Sequence, residues 1–421
     1  MPSPTPTRQI LRGARSIVGE PITVVIGADG LIESVGPSGP DDDSPDDDSP
    51  DDSSKVTIDL SGHVLAPAPV EPHAHLDKAF LSEVIENPTG DLIGAVMAMR
   101  ANRHLLGVDE TAERAERAAR WMAANGYVAV RTHVDLTVEH GLTSVEALQR
   151  VKQAVADVID VEIVALSGWP IVGAAGADQR ALTRDAIGLG IDVFGGCPHL
   201  EHSHGDGDVV SATDVMLEMA AEAGLPVDLH TDETLDPTVA GLDHLARQVL
   251  DGFPHPVTAS HCVSLGVQDA TTRAATIDRV AEAGVSVVTL PHTNLFLQGR
   301  GSDPMPRGLT AVDELQRAGV RVAAGADNLQ DPFNPVGRAC PFETAGLMIM
   351  TAHRLPADAG EMVSTLSARV LGRNGAIEAG AVADLLAVEA GSIREAIARG
   401  DAPRRRWRGG QEITDGAAID T

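Results

Sequence analysis

Eight short apolar runs, spaced roughly thirty residues apart as consecutive strand–helix units are, constrain this chain more than any other feature. They fall at residues 64–70, 127–134, 161–166, 191–196, 226–229, 256–260, 285–290 and 321–324. Each ends in polar or Gly/Pro residues. Ala/Glu/Arg-rich helical text follows, for example at residues 110–124, 144–156, 214–223, 273–283 and 311–318. Strands that alternate with helices eight times predict a closed α/β barrel, a (β/α)8 TIM barrel. An open doubly wound sheet would need a Gly-rich phosphate loop after its first strand. That position reads Glu71-Pro72-His73-Ala74-His75. The chain has 421 residues, 43% of them hydrophobic and only 2% aromatic, so Ala, Val, Leu and Ile must fill the core.

The two ends of the chain read differently. Residues 22–26 and 31–35 are β-rich and flank a hairpin signal, Ala28-Asp29-Gly30. Strand character resumes at 56–60 and 63–65, and again at 375–388 between glycines. Pairing the ends predicts a small discontinuous β-sandwich domain from residues 1–66 and 370–421, beside a catalytic barrel at 67–369. Residues 41–54 read DDDSPDDDSPDDSS. Such a run cannot pack and is expected to be a disordered, solvated acidic loop.

Charge narrows the partners. With 61 Asp plus Glu against 32 Lys plus Arg, the formal charge is −29. That excludes nucleic acid and anionic membranes, which require a basic face. No apolar run approaches the ~20 residues that span a bilayer, and no secretory signal is legible at the N-terminus. Cys197, Cys262 and Cys340 form neither a disulfide framework nor a metal clip. A cytoplasmic enzyme with a small-molecule substrate is expected.

In such a barrel, chemistry gathers where strands end. His73 and His75, two apart on one strand, share a face and converge on one point. With His230 and Asp327 they offer three nitrogens and one oxygen. That set suits one divalent ion, Zn2+ or Fe2+, with a position left for water. Such an ion lowers the pKa of its water toward neutrality. Glu233, three residues after His230, could move that proton to a leaving nitrogen. His261 could hydrogen-bond the attacking or developing oxygen, or be a further ligand.

The stretches VEPHAHLD (70–77), RTHVD (131–135), HTDE (230–233), ASH (259–261), LQGR (297–300) and GADNLQDPFNPVG (325–337) resemble the amidohydrolase superfamily, in its cytosine deaminase-like branch. GAIEAGAVADLLAV near the C-terminus resembles the superfamily's return strands. The resemblance implies His73, His75, His230 and Asp327 as ligands of a single metal. It implies Glu233, His261 and Asp327 as catalytic residues. Dinuclear members carry a carboxylated Lys on strand three or four. The lysines here are Lys55, Lys78 and Lys152, none at those strand ends. The implied reaction is hydrolytic deamination of a small N-heterocyclic substrate: a cytosine-like pyrimidine, triazine, creatinine-like or pterin-like ring. Hydroxide held by the metal would attack the amino-bearing carbon, with loss of ammonia. Family members often form homo-oligomers, and that option is open here.

Departures from the branch concern the substrate. The Gln that reads the pyrimidine edge aligns with Gly168, the Asp-Asp pair is Asp327-Asn328, and the Trp after Asp-Pro is Phe333. Losing an amide reader argues against cytosine itself. Trp169 could supply a stacking face. Gly168, Trp169, His199, Asn328 and Phe333 are the candidate substrate contacts. His202 and His204 form a second HxH, expected to be a solvated rim. Arg300 is open between anchoring an anionic substrate group and fixing a loop. Two alternatives also stay open: cleavage of an amide or N-alkylamino group on a related ring, and a non-catalytic metal- or ligand-binding barrel.

Overall fold

A computed structural model describes residues 7–37, 55–203 and 207–413. The acidic run at 41–54 and His204 lie outside the described residues. The chain divides into two compact units. One is Met1–Val70, Ala123–Val128 and Cys340–Thr421; the other is Glu71–Met122 and Ala129–Ala339.

The first unit is built on a mixed sheet from both ends of the chain. Its strands are β1 (Arg8–Arg15), β2 (Pro21–Ile26), β3 (Ile32–Pro37), β4 (Lys55–Asp59) and β5 (His63–Pro67). The second unit holds the barrel strands: β6 (Val70–Ala74), β7 (Ala129–Leu136), β8 (Asp160–Ser167), β9 (Val193–Gly196), β10 (Val227–Thr231), β11 (Val257–His261), β12 (Ser286–Thr289) and β13 (Val322–Ala324). The chain then returns to the first sheet with β14 (Leu385–Glu389), β15 (Arg404–Arg408) and β16 (Gln411–Ile413).

The terminal sheet runs β16-β15-β14-β5-β1-β2-β3, with β4 on β1. The hairpin expected at Asp29-Gly30 joins β2 to β3 with Val24 opposite Val35. Gly30 has φ +81°, and a Cβ there would collide with the Gly409 carbonyl, so only glycine serves. β5 and β14 join the two ends of the chain, with Val64 opposite Val388. Leu11, Ile26, Leu65, Leu385 and Trp407 are buried together beneath this sheet.

Barrel strands follow one another in chain order from β6 to β13. Their residues are buried almost throughout, as strands covered on both faces must be. A parallel bridge between Ala74 and Asp327 closes the ring. There Asp327 N donates to His73 O at 3.0 Å, and His75 N donates to Asp327 O at 3.2 Å.

The apolar run at 64–70 is not one strand. It divides into β5, in the terminal sheet, and β6, the first barrel strand. Pro67 and Pro69 lack the N–H donors that would carry a ladder through this stretch. The barrel strand therefore begins later than expected, and His73 sits within it. Among the described residues no helix is long and apolar enough to cross a membrane.

Buried Glu71 laces the seam. Its carboxylate accepts from His73 N at 3.2 Å and from Ala326 N at 3.0 Å. A Cβ on Gly325 would lie 2.5 Å from Glu71 Oε1. Overpacking of this kind costs about 1–3 kcal/mol. Gly325→Ala is therefore expected to lower the free energy of unfolding by that amount in urea titration. An unchanged midpoint would show that the seam has slack.

Candidate metal centre and pocket

Alternation along the strands brings the predicted residues to one place. His73 and His75 leave β6 and its end, His230 lies in β10, His261 ends β11, and Asp327 follows β13. His261 (φ 70°) and Asp327 (φ 64°) both adopt left-handed backbone, as does Asp232 (φ 49°). Such conformations are uncommon for these residue types and collect at functional sites.

The side chains converge. His75 Nε2 lies 3.2 Å from His230 Nε2 and 3.3 Å from Asp327 Oδ1. His73 Nε2 lies 3.7 Å from the same Asp327 oxygen. His73 Nε2, His230 Nδ1 and both Asp327 oxygens are buried without a hydrogen-bond partner. Unpaired buried polar atoms are costly unless another partner is intended for them. Burial, followed by the neighbouring imidazoles, holds His73 and His230 well below the ordinary histidine pKa. These rings are neutral, with lone pairs free to ligate. His73, His75 and His230 form one group able to hold an ion, and His73, His261 and Asp327 another that overlaps it. This donor set fits a divalent cation.

The tautomer of His73 is set by a chain that sequence reading missed. His73 Nδ1 meets Ser260 Oγ at 2.9 Å, and Ser260 Oγ donates to Asp228 Oδ1 at 2.7 Å. Ser260 thus uses its only proton on Asp228 and must accept from His73 Nδ1–H. That leaves Nε2 unprotonated toward the cluster. Arg131 donates to Asp228 Oδ2 at 3.1 Å and to Glu162 at 2.9 Å. Burial alone would raise the Asp228 pKa; His133, Arg131 and Ser260 together hold it below its ordinary value. His133 stacks on His73 with ring centroids 3.8 Å apart. The same two-residue alternation could have found these groups. Asp228 is two before His230, and Arg131 two before His133.

His75 is oriented by His133 O, 2.9 Å from its Nδ1. Lys78, on the turn after β6, sits 3.0 Å from that nitrogen and pairs with Asp135 Oδ1 at 2.8 Å. Burial opposes its charge, but Asp135 and Asp77 keep Lys78 protonated. A charged ammonium is no bridging ligand. Lys152 is tied to Asp192, and Lys55 lies in the terminal sheet.

Glu233 and His261 meet at 3.4 Å, and Asn294 links them. Its Nδ2 is 3.4 Å from Glu233 Oε1 and 3.2 Å from His261 Nδ1. Donation from Asn294 to Nδ1 puts the His261 proton on Nε2, which is buried without a partner. Burial, then the Asp327 charge, pushes Glu233 well above the ordinary carboxylate range. Asn294 lies on the short helix Pro291–Leu297. No periodicity in the sequence points to it.

Glu233 and His261 line a pocket of about 660 Å3, counting the solvent space at its mouth. Leu92, Val96, Met99 and Arg100 of the helix Leu92–Ala101 line it too. Trp169, Asn328 and Phe333 also line it. Asn328 accepts from Thr293 at 3.2 Å and donates to Asp331 at 2.7 Å, so its amide is fixed. Gly168 and His199 are not among the lining residues. Gly168 N donates to Leu136 O, and a Cβ there would crowd Thr137 and Gln179. His199 Nδ1 lies 3.1 Å from His230 O, at the end of β10. Arg300 is bonded to the carbonyls of Gly90 and Phe296, which makes it a loop-fixing residue.

A family model described as "Amidohydrolase family" matches residues 84–413. A pterin deaminase of Rhizobium rhizogenes is 35% identical over 399 residues, covering 92% of this chain and 87% of that one. Among solved structures, the 5-methylcytosine deaminase of Klebsiella pneumoniae liganded with 5-fluorocytosine has a TM-score of 0.85 at 29% identity over 98% of both chains. An N-isopropylammelide isopropylaminohydrolase of Burkholderia multivorans has a TM-score of 0.77 at 26% identity, covering 97% of this chain and 98% of that one.

Outer partners of a metal-ligating His typically contribute ten- to hundredfold to metal affinity. Ser260→Ala removes the acceptor for His73 Nδ1–H and should weaken metal retention by about that factor, read by competition with a chelator. Unchanged affinity in a folded variant would contradict the relay.

Proposed function

The chain belongs to the amidohydrolase family, in its cytosine deaminase-like branch, and from that premise we propose that it hydrolytically deaminates an amino-substituted N-heterocycle. It is a hydrolase of carbon–nitrogen bonds other than peptide bonds. The observation that carries the reading is the convergence of His73, His75, His230 and Asp327 beside the Glu233–Asn294–His261 group in one cavity. We assign His73, His75, His230 and Asp327 as holders of one divalent ion, zinc or ferrous iron. When bound, that ion supplies Lewis acidity and lowers the pKa of a water in the site to near neutrality.

The chain's own residues handle the protons. Glu233, raised in pKa by burial and by Asp327, is suited to proton transfer. Its carboxyl receives a proton from the attacking water and gives it to a ring nitrogen beside the amino-bearing carbon. Oxygen bonds to that carbon, which becomes tetrahedral. The carbon–nitrogen bond then breaks as Glu233 passes the second proton, from the new C–O–H, to the amino group, so that ammonia leaves and a ring carbonyl remains. His261 donates through Nε2 to the oxygen, because Asn294 occupies Nδ1. The Asn294 contact supports the donor role over the ligand role. Pterin is the first ring to test, given the 35% identity to a pterin deaminase. Gly168 in place of an amide reader disfavours cytosine.

Ammonia release from pterin by the purified protein should be abolished by a chelator and restored by Zn2+ or Fe2+. Glu233→Gln should lower kcat by about 10²–10⁴, the usual contribution of a positioned acid–base group. Release of an alkylamine or a carboxylic acid, with no ammonia from any amino-heterocycle, would instead favour cleavage of an N-alkylamino or amide bond.

A further inference from the structure

The cationic groups lining the cavity differ in how they are neutralised. Lys78 is paired with Asp135 and Asp77. Arg103 donates to Thr137 and faces Glu139 at 3.9 Å. Arg100 is different. Its Nε is buried without a hydrogen-bond partner. Its guanidinium lies over the Trp169 ring, 4.8 Å from Cζ to the ring centroid, and its charge, like that of Arg103, acts on the mostly exposed Glu139. The chain carries a formal charge of −29, so acidic partners are plentiful. A buried Nε–H without an acceptor is open to one that a ligand brings.

Stacking on an indole fixes the plane of a guanidinium without using its N–H groups. A planar, pre-oriented fork with a free Nε–H matches a carboxylate in side-on, two-hydrogen-bond geometry. Arg100 lies on the helix wall, whereas His75, His230, Glu233 and Asp327 come from the strand ends. Arg100 lines the same cavity from a helix, so a flat ring with its amino-bearing carbon at the strand ends has another edge to offer it.

We propose that Arg100, held on Trp169, is a carboxylate-recognition residue, and that the preferred substrate is an N-heterocycle bearing a ring carboxylate on the edge away from the amino-bearing carbon. This rests on the reading of the site as a heterocycle deaminase and names its substrate class.

The test uses pairs of unreactive deaminated rings that differ by one carboxylate: lumazine with lumazine-6-carboxylate, and uracil with orotate. Binding to the metal-loaded full chain is measured by calorimetry. The wild type should bind the carboxylated member of at least one pair about tenfold tighter or more, as a charge-assisted bidentate contact requires. In a folded Arg100→Gln variant the two members should bind within about threefold of each other. Arg100→Lys, which keeps the charge but loses the fork, should fall between. Equal binding of both members to the wild type, no binding of any of the four, or a preference that survives in Arg100→Gln would overturn the proposal. Ammonia release from the parent amino rings is read separately. A carboxylate preference with no ammonia release would sink the deaminase reading and keep the subsite. Turnover with no preference would do the reverse.

Discussion

Two backbone hydrogen bonds at the barrel seam set the geometry on which the rest depends. Asp327 N reaches His73 O, and His75 N reaches Asp327 O. They join the start of the barrel to its end, with more than 250 residues of chain between His73 and Asp327. They also bring three candidate ligands together before any side chain is considered. Glu71 reinforces the join by accepting from both strands. Closure of the sheet and assembly of the centre are thus one event.

Burial then supplies the chemistry. In a low-dielectric mouth, imidazoles lose their charge and carboxyls resist ionisation unless cations support them. His73 and His230 become neutral donors, and Glu233 is pushed toward the protonated form. Asp228 keeps its charge because Arg131 and Ser260 hold it. Burial therefore leaves Asp228 and Glu233 with opposite tendencies, according to the groups that surround each. Asn294 adds direction by fixing which nitrogen of His261 carries the proton.

Much of this was legible in the sequence, for definite reasons. Strand alternation put His73 and His75 on one face, and the order of strand ends located His230, His261 and Asp327. What the sequence hid depends on lateral register or on helix placement. Ser260 meets His73 only because β11 is aligned with β10, His230 opposite Ser260. Asn294 and Arg100 sit on helices whose spacing carries no trace of the site. The first barrel strand was expected too early because residues 64–70 read as one apolar run. Pro67 and Pro69 divide it between two sheets. Arg300 was open as an anion anchor until it was found bonded to backbone carbonyls, and Arg100 was not singled out at all.

The central claim is that one ion is held at the meeting of His73, His75, His230 and Asp327. The most direct measurement is an anomalous-difference map from crystals of the metal-loaded protein, recorded at the zinc and iron absorption edges. The account predicts a single strong peak bounded by those four side chains, with Glu233 and His261 beside it. A peak between His73, His133 and Asp228, the neighbouring group able to hold an ion, or two peaks of comparable height, would contradict it.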